Sequence, residues 1–318
     1  MRAFAIRRFG EPGSVEELPR PDVQAGEVLV RVRAAGVNAI DPIVVRGVLQ
    51  AMLEHRLPLI PGVDLAGTVE AVGPAVTGLR VGDEVFGRST KPYYGGGTFA
   101  EYASTPMTEI ALKPPTVSVT DAAAIGLAGS TALALVEAVA PATGESVLII
   151  GAGGGVGSFA TQLVARTGAQ VIGVTNPGAL AQVRGLGATR VIDYAPGDVA
   201  DQVTRLKPDG VDALIDLHSD HDTLIGLLSV VRRGGRVVSP LRAVDVEALA
   251  AHGLTGGNVA AASGRLGELG ELVAAGRLRV SVSRTFSLDE GNDALAQQAT
   301  GQARGKLVIV VDRTAAAP

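Results

Sequence analysis

The spacing of apolar residues along the chain changes near residue 121. Before that point, short segments alternate between apolar and polar positions, most clearly EVLVRVRAA at 27–35, and glycines separate one segment from the next. Alternation with a period of two residues is typical of half-buried strands. The first part of the chain is therefore expected to be β-rich and to resemble a small, partly open barrel, with further strands at 2–9, 65–72 and 84–86.

After residue 121 the pattern becomes helical and then mixed. Residues 121–140 are rich in Ala and Leu and predict one long helix. Short apolar runs then alternate with segments of helical period, which predicts a doubly wound parallel sheet. Two later apolar runs, at 280–286 and 307–312, predict strands that rejoin the β-rich part. The strands of the parallel sheet are expected at 147–150, 171–174, 191–193, 213–217 and 236–239.

The turn at 151–157, GAGGGVG, joins a predicted strand to a predicted helix and contains almost no side chains. Ala152, Gly154 and Gly157 have the spacing of the dinucleotide-binding fingerprint, with Ala in the first position. Small residues let the backbone approach a pyrophosphate, and the N–H groups at the start of the helix point towards it. The alternative is an ordinary tight turn between a strand and a helix. The candidate cofactor contacts in the turn are Ala152, Gly153, Gly154, Gly155, Val156 and Gly157.

The residues after the second strand of this sheet indicate which dinucleotide is bound. An NAD site usually has Asp or Glu about 20 residues after the glycine turn, where the carboxylate bonds the ribose 2′-hydroxyl. No acidic residue occurs between positions 170 and 192, whereas Thr175 and Asn176 are able to bond a 2′-phosphate. The expected cofactor is therefore NADPH, unless Thr175 and Asn176 only begin a turn before Pro177.

Composition and charge exclude several classes of function. The net charge is −4 and the basic residues do not cluster, so no nucleic-acid partner is expected. The chain contains no cysteine, which excludes disulfides and thiolate zinc sites. Its first residues do not resemble a signal peptide, and no uncharged apolar run is long enough to span a membrane. We therefore expect a cytoplasmic protein with no membrane partner and no bound metal.

Short motifs along the whole chain occur in the order and spacing of one protein family. They are AAGVNAID at 34–41, PGVDLAGTVEAVG at 61–73, GDEVFG at 82–87, GGTFAEYA at 96–103, AAAIGLAGSTAL at 122–133, AGGGVG at 152–157, LGA at 186–188, VIDY at 191–194, GGRVVS at 234–239 and ARGKLVIVV at 303–311. With them the chain resembles the medium-chain dehydrogenase/reductase superfamily, and within it the zinc-independent quinone oxidoreductase branch that includes zeta-crystallin. The resemblance implies an α/β fold in which a Rossmann domain, at 122–263, is inserted into a GroES-like catalytic domain made of 1–121 and 264–318.

The resemblance also implies roles for single residues. Asn38 and Asp41 lie in a loop that borders the nicotinamide in the family, and they are the catalytic candidates. Thr131, Tyr194 and Lys306 match family residues and are expected at the cofactor, Tyr194 beside the 2′-phosphate. Structural alternatives exist for several of them. A turn, a helix cap, a bond within a helix and a surface position would explain Asn38, Asp41, Thr131 and Tyr194, respectively.

Other residues depart from the family pattern or stand outside it. His218 follows a strand next to the expected cofactor and is a further candidate contact, but with His221 alone it does not make a metal site. Ile43 replaces a Tyr that many quinone reductases carry. Asp64 stands in a PGxDxxG segment where zinc enzymes usually have a His-Glu pair. The replacement at Ile43 leaves the identity of the hydride acceptor open, and Asp64 argues against a zinc alcohol dehydrogenase.

Together these features predict a reductase that transfers hydride from NADPH to a hydrophobic quinone or α,β-unsaturated carbonyl. Asn38 is the expected hydrogen-bond donor to the oxygen that gains charge. Two alternatives are an enoyl reductase acting on a thioester or biosynthetic intermediate, and a non-catalytic NADPH-binding protein similar to zeta-crystallin. A homodimer built through the cofactor domain is also expected, because the resemblance places the apolar strand 236–239 near the edge of the cofactor sheet and an exposed apolar edge readily pairs.

Overall fold

The computed structural model describes residues 1–311, so residues 312–318, which include the end of the last predicted strand and of the last predicted domain range, lie outside the described residues. The strands are β1 (Arg2–Ala5), β2 (Ser14–Glu17), β3 (Glu27–Val37), β4 (His55–Ile60), β5 (Asp64–Val72), β6 (Glu84–Arg88), β7 (Tyr94–Gly96), β8 (Tyr102–Pro106), β9 (Ile110–Leu112), β10 (Ser146–Ile150), β11 (Gln170–Thr175), β12 (Arg190–Asp193), β13 (Val211–Asp216), β14 (Val231–Ser239), β15 (Thr255–Asn258), β16 (Val282–Ser287) and β17 (Lys306–Val310). The α-helices are α1 (Ile40–Val45), α2 (Val119–Val139), α3 (Gly155–Ala165), α4 (Leu180–Gly185), α5 (Val199–Leu206), α6 (His221–Leu227), α7 (Val246–Ala251), α8 (Leu266–Ala274) and α9 (Gly291–Ala299).

The chain forms two compact units. One contains Met1–Leu127 and the chain from Ser263 onward, and the other contains Ala128–Ala262. The first boundary thus lies inside α2, whereas the predicted domain range ends at residue 121. The start of α2 stays with the first unit because its backbone is bonded there: the N–H of Leu127 donates to Asp64 at 2.6 Å.

The first unit is built on a sheet in the order β16-β17-β3-β5-β6-β9, with β8 also paired to β3. Along the long strand β3, Val30 and Val32 are buried whereas Arg31 between them is exposed, which confirms the predicted alternation. The antiparallel register of β17 on β3 places Leu307 opposite Val37. This register brings the start of β17 to the loop that follows β3.

The second unit contains a parallel sheet in the order β12-β11-β10-β13-β14-β15. Successive strands run outward from β10 in both directions, as in a doubly wound Rossmann sheet, and this confirms the predicted fold class. Strands β10 and β13 are neighbours, so their carboxyl ends mark the point where the strand order reverses. Ligands of such sheets bind at this point.

The edge of the parallel sheet differs from the prediction. Strand β14, which contains the run predicted as the exposed edge, lies between β13 and β15. The edge strand is β15, and its residues, TGGN, include no apolar side chain that would have indicated a strand. A Cβ on Gly256 would collide with the carbonyl oxygen of Val237, so glycine is required for this close pairing with β14. The premise of a dimer contact through an exposed strand at 236–239 is therefore wrong.

Helix α2 is long and apolar enough, by length and composition, to cross a membrane. Within its most apolar window, 78% is buried inside the structure. A helix in a protein core also meets these criteria of length and composition. The large buried share of α2 is typical of such a core helix.

Candidate functional site

The glycine turn lies where β10 ends, at the reversal point of the parallel sheet. Helix α3 begins within it, at Gly155, and its N-cap residue, Gly154, has no side chain that could cap the helix. A Cβ on Gly154 would meet only the carbonyl oxygen of Gly151, at 3.4 Å, so the space beside Gly154 is open. A Cβ on Gly157 would instead collide with that oxygen, which makes Gly157 necessary for the turn itself. An uncapped helix start beside open space fits the pyrophosphate of a dinucleotide.

The residues predicted as cofactor contacts in this turn do not all face outward. Ala152 and Gly153 are buried, and the N–H of Ala152 donates to the carbonyl of Val174 at 2.9 Å. Gly154, Gly155 and Val156 are partly exposed. Gly154, Gly155 and Val156 are thus the accessible residues of the turn, whereas Ala152, Gly153 and Gly157 are buried within it.

The residues expected near a 2′-phosphate lie together after β11 and β12. Thr175 is 3% exposed, and its hydroxyl packs against Gly153, where a Cβ would collide with it. Asn176 is half-buried, and its side chain forms no cap bond with the turn that follows. Tyr194 is 48% exposed, and its N–H reaches the carbonyl of Thr175 at 3.4 Å. Asn176 and Tyr194 are thus accessible at the carboxyl ends of β11 and β12, whereas Thr175 supports the glycine turn.

A further acid, which the sequence analysis did not single out, lies at the carboxyl end of a central strand of the same sheet. Asp216 ends β13 opposite Ile150 and is fully buried. One of its carboxylate oxygens accepts the hydroxyl and the N–H of Ser219, at 2.8 and 3.2 Å, and the other has no partner among residues 1–311. Burial raises the pKa of Asp216. The sequence signal that pointed to Asp216 was an acid at the end of a mostly apolar strand.

Two further candidates, Thr131 and His218, lie in different surroundings. Thr131 is in α2 and is 5% exposed. His218 is exposed on the loop after β13, and a Cβ on Gly151 would lie 3.7 Å from its Cβ, so His218 borders the glycine turn. His221 bonds the carbonyl of Ala243 through Nδ1 at 3.3 Å. Within residues 1–311, no group of three or more His, Cys, Asp or Glu side chains is placed to hold a metal ion.

In the first unit, four polar side chains from distant parts of the chain form a buried group that we call the lysine cluster: Asn38, Asp41, Asp64 and Lys306. They are 7, 2, 0 and 3% exposed, respectively. Lys306 Nζ donates to Asn38 Oδ1, to Asp64 at 3.0 Å and to the carbonyl of Val37 at 3.0 Å. An ammonium group has three hydrogens. In this arrangement Lys306 uses all three on Asn38, Asp64 and Val37, and its expected contact with the cofactor stays a prediction.

The side-chain amide of Asn38 is also largely engaged. Its Nδ2 donates to Asp64 Oδ2 at 2.9 Å, and it reaches the carbonyl of Gly36 only at 3.4 Å. The second distance is long for an N–H···O bond. One amide hydrogen of Asn38 is therefore held firmly and the other only weakly. Only the weakly held hydrogen can take the donor role expected of Asn38.

Asp41 does not cap helix α1, although the sequence allows that interpretation. The N-cap residue of α1 is Ala39, and Asp41 lies in the first turn. Its carboxylate accepts the N–H of Asn38 at 2.7 Å and a further backbone hydrogen bond from Gly62. Burial raises the pKa of Asp41 to about 7, although these hydrogen bonds and the charge of Lys306 act to lower it. Asp41 thus holds the backbone at Asn38 instead of capping α1.

The pairing of Asp64 with Lys306 was also missed. Each is a charged residue at the start of a mostly apolar strand, β5 or β17. Charges inside apolar strands are rarely buried without a partner, so a pairing of the two was a reasonable expectation. They are 242 residues apart, however, and no local pattern links them.

Comparison with known proteins identifies the family. Residues 24–115 match the alcohol dehydrogenase GroES-like domain, and residues 186–309 match the zinc-binding dehydrogenase family. A 2-methylene-furan-3-one reductase of Solanum lycopersicum is 32% identical over 97% of this chain and 79% of its own length. The chain belongs to the medium-chain dehydrogenase/reductase superfamily. The predicted family is thereby confirmed.

Other members of the superfamily show how widely its cofactors and substrates vary. A chloroplastic NADPH-dependent alkenal/one oxidoreductase of Arabidopsis thaliana is 31% identical over 91% of this chain and 73% of its own. An NAD-dependent alcohol dehydrogenase of Sulfurisphaera tokodaii is 28% identical over 98% and 100%. The solved quinone oxidoreductase from Coxiella burnetii has a TM-score of 0.88 at 29% identity, covering 98% of this chain and 99% of that one. This medium-chain dehydrogenase/reductase is accordingly a nicotinamide-dinucleotide oxidoreductase.

The zinc in the name of one matched family does not fit the residues of this superfamily member. The chain has no cysteine. Asp64, in the segment where zinc enzymes usually have a His-Glu pair, is bonded to Lys306, to Asn38 and to the N–H of Leu127. Thiolate ligands are excluded by the composition, and the structure of residues 1–311 brings no group of three or more potential metal ligands together, so we assign no role to zinc.

Proposed function

We propose that the protein is a zinc-independent reductase that transfers hydride from NADPH to a quinone or an α,β-unsaturated carbonyl. The observation that carries the proposal is the lysine cluster, which offers one weakly held amide hydrogen of Asn38 and no set of metal ligands. Relatives named as reductases of 2-methylene-furan-3-one and of alkenals and alkenones support the same class of acceptor.

A hydrogen-bond donor is sufficient for this class of acceptor. Hydride addition to an enone or a quinone leaves an enolate or a hydroquinone anion, whose charge is delocalised and which water is able to protonate. Reduction of a simple ketone leaves a localised alkoxide, which is a much stronger base and needs stronger stabilisation. Quinones and enones therefore suit a site with a single amide donor better than simple ketones do.

The two units are proposed to contribute different functions. When bound, NADPH supplies the hydride from C4 of its nicotinamide. In the second unit, the backbone at Gly154, Gly155 and Val156 holds the pyrophosphate. In the first unit, Asn38 donates its weakly held hydrogen to the oxygen that gains charge. That bond strengthens as the charge develops, and so it lowers the barrier to hydride transfer.

The acceptor is proposed to be a small apolar molecule that contacts the segment between α1 and β4. Val48 and Met52 of this segment are 65 and 55% exposed. The ring of His55 lies between those of Phe9 and Tyr94, with centroid distances of 5.5 and 5.0 Å. Exposed apolar side chains beside a group of rings suit a flat quinone or enone.

The preference for NADPH over NADH rests on the strand ends after β11 and β12. Asn176 stands where an NAD site usually has an acid, and the accessible Tyr194 lies beside it. Relatives of both cofactor types exist, so the preference comes from these side chains and not from the family.

We also propose a homodimer, formed through strand β15. Among residues 1–311, β15 is the last strand on its side of the parallel sheet. A strand edge that no neighbour covers readily pairs with a second copy. Multi-angle light scattering at micromolar concentration tests this, and a monomer would contradict it.

A panel of acceptors tests the proposed reaction. The purified protein is mixed with NADPH and a quinone, an enone, an enoyl thioester or a simple ketone, and oxidation of NADPH is followed by absorbance. We expect the quinone and the enone to react fastest, and the rates to survive exhaustive chelation. A preference for thioesters would favour an enoyl reductase. Tight NADPH binding without oxidation would favour a non-catalytic protein, and a rate that only zinc restores would overturn the proposal.

A further inference from the structure

The orientation of the Asn38 amide is decided by its partners, because the oxygen and nitrogen of an amide are nearly equal in shape. In the lysine cluster these partners are of opposite kinds. Lys306 only donates, so it requires Oδ1 of Asn38 on its side. Asp64, when ionised, only accepts, so it requires Nδ2 on its own side, at 2.9 Å. Both partners therefore select the same orientation of the amide.

The surroundings leave this amide little freedom. Lys306 and Asp64 hold each other at 3.0 Å, and Asp64 is anchored by the N–H of Leu127 at 2.6 Å. Asp41 holds the backbone N–H of Asn38 at 2.7 Å. A Cβ on Gly36 would lie only 2.9 Å from the Asp64 side chain, so the backbone beneath the cluster is packed as closely as glycine allows.

We propose that Lys306 is a positioning residue for the reduction: with Asp64 it fixes the Asn38 amide so that the weakly held hydrogen of Asn38 serves the acceptor oxygen. This inference rests on the proposed function, because it takes Asn38 as the donor. The ammonium also draws electron density from the amide oxygen, which makes the amide hydrogens stronger donors. Lys306 acts without touching substrate or cofactor, because its three hydrogens are used within the cluster.

One test measures the side-chain amide of Asn38 directly and does not depend on enzymatic activity. The chain has only four asparagines, so labelling asparagine with ¹⁵N gives a simple set of side-chain amide signals, and Asn38→Ala identifies the pair from Asn38. We expect this pair to exchange slowly with solvent in the parent protein. In Lys306→Met it should shift and exchange faster, because the oxygen has lost its fixed donor. An unchanged Asn38 pair in Lys306→Met would overturn the inference.

A kinetic test asks whether Lys306 acts through Asn38. Lys306→Met should lower kcat by about tenfold or more while the KM and Kd for NADPH stay within about twofold. In the Asn38→Ala background, the same substitution should have almost no further effect on kcat. Fully additive effects would overturn the inference. So would a raised Kd for NADPH with an unchanged kcat, which would make Lys306 a cofactor contact.

Two further variants distinguish a loss of stability from a loss of the positioning role. Lys306→Met leaves Asp64 as an unpaired buried charge, which is strongly destabilising. The double variant Lys306→Met/Asp64→Asn removes both charges and should reproduce the changes in kcat and in the amide signals. Lys113→Met is the matched control, because the Lys113 side chain is 6% exposed and bonds the carbonyl of Val117 at 2.9 Å and Glu84 at 3.3 Å, outside the cluster. It should lose stability without changing either readout.

These readouts distinguish failure of the positioning role from failure of the proposed function. If the parent protein oxidises NADPH neither with quinones nor with enones, the proposed function is refuted, whatever the amide spectrum shows. An active parent in which Lys306→Met leaves the Asn38 signals and kcat unchanged would refute the positioning role alone.

Discussion

The two candidate sites of this protein are built in opposite ways. The glycine turn of the second unit is made of neighbours in sequence, and its partly exposed residues, Gly154–Val156, offer backbone groups at an uncapped helix start. The lysine cluster of the first unit is made of side chains, and Asn38 and Lys306 are 268 residues apart. The turn leaves its donors open to a ligand, whereas the cluster satisfies nearly all of its own hydrogen bonds.

The difference fits the role proposed for each site. A pyrophosphate is charged before, during and after the reaction, so backbone donors that fit any phosphate are sufficient. An acceptor oxygen gains charge only as hydride arrives, and its donor must already be in place because reorganisation would raise the barrier. A network of side chains provides that fixed orientation, at the cost of burying charges. Four predictions test this contrast, from the largest effect to the smallest.

The largest effect is expected from removing the donor of the first unit. Asn38→Ala should lower kcat by about 10²–10³-fold, because a hydrogen bond that strengthens in the transition state is lost. The KM for NADPH should hardly change, since the phosphate contacts lie in the glycine turn. Steady-state kinetics with a quinone measures both values. Asn292→Ala is the control, since its amide bonds the backbone of Gly13, at 2.8 and 2.9 Å, outside the lysine cluster. A decrease in kcat no larger than in the control would make Asn38 structural.

A side chain in the glycine turn should act on binding instead. Gly154→Val places methyl groups in the open space beside the helix start, so NADPH affinity should fall by about tenfold or more, equivalent to about 1.4 kcal/mol. The fold should survive, because a Cβ there meets only the carbonyl oxygen of Gly151, at 3.4 Å. Gly157→Val should destabilise the protein, because its Cβ would collide with that oxygen. Fluorescence titration with NADPH and thermal melts distinguish the two; equal affinity in Gly154→Val and the parent would show that the turn holds no phosphate.

The choice of cofactor should change with one residue. Asn176→Asp places a carboxylate where it repels a 2′-phosphate and bonds a ribose hydroxyl. The ratio of kcat/KM for NADPH to that for NADH should therefore fall by about tenfold. Asn176→Ser, which adds no charge, should keep the parent's preference. Comparable kcat/KM values for both cofactors in the parent protein would refute the premise.

The smallest effect concerns stability and pH. The pKa of Asp41 is raised from 3.8 to about 7 in the folded protein, so between about pH 4 and pH 7 the folded state binds more protons than the unfolded state. The stability that depends on Asp41 is complete below this range and is lost as the pH rises through it. Asp41→Asn cannot ionise, so its Tm relative to the parent should rise with pH, by a few degrees across about pH 4–7.

An acid of the second unit supplies the control with the opposite sign. Burial acts to raise the pKa of Asp212, but hydrogen bonds from Ser146 and Arg232 outweigh it, and the pKa is lowered. The stability that depends on Asp212 is therefore complete above the unfolded value of 3.8 and is lost as the pH falls below it, and Asp212→Asn lacks this dependence. Thermal melts of the three proteins should show that the Tm of Asp212→Asn relative to the parent is level between about pH 4 and pH 7, where the Tm of Asp41→Asn relative to the parent rises. A level difference for Asp41→Asn as well would mean that Asp41 ionises normally in the folded state.

The fold was predictable wherever neighbouring residues set the pattern. The strand predicted at 147–150 agrees within one residue with the observed strand Ser146–Ile150. The helix predicted at 121–140 agrees within two residues with the observed helix Val119–Val139. Strand β15 was missed because it is held by backbone pairing and glycine, without apolar side chains. Asp41 was read as a possible cap because the pattern next to Pro42 allows one, but its carboxylate accepts the N–H of Asn38 instead.

By itself the sequence determined the family, the alternation of strands and helices in the second unit, and the glycine turn with its open helix start. All three depend on periodicity and spacing over a few residues, which a chain carries locally. Only the tertiary structure decided what Asn38, Asp64 and Lys306 do. Their meeting requires β3 to pair with both β5 and β17 in one register, and a lone charge in an apolar strand does not specify its partner until that pairing is known.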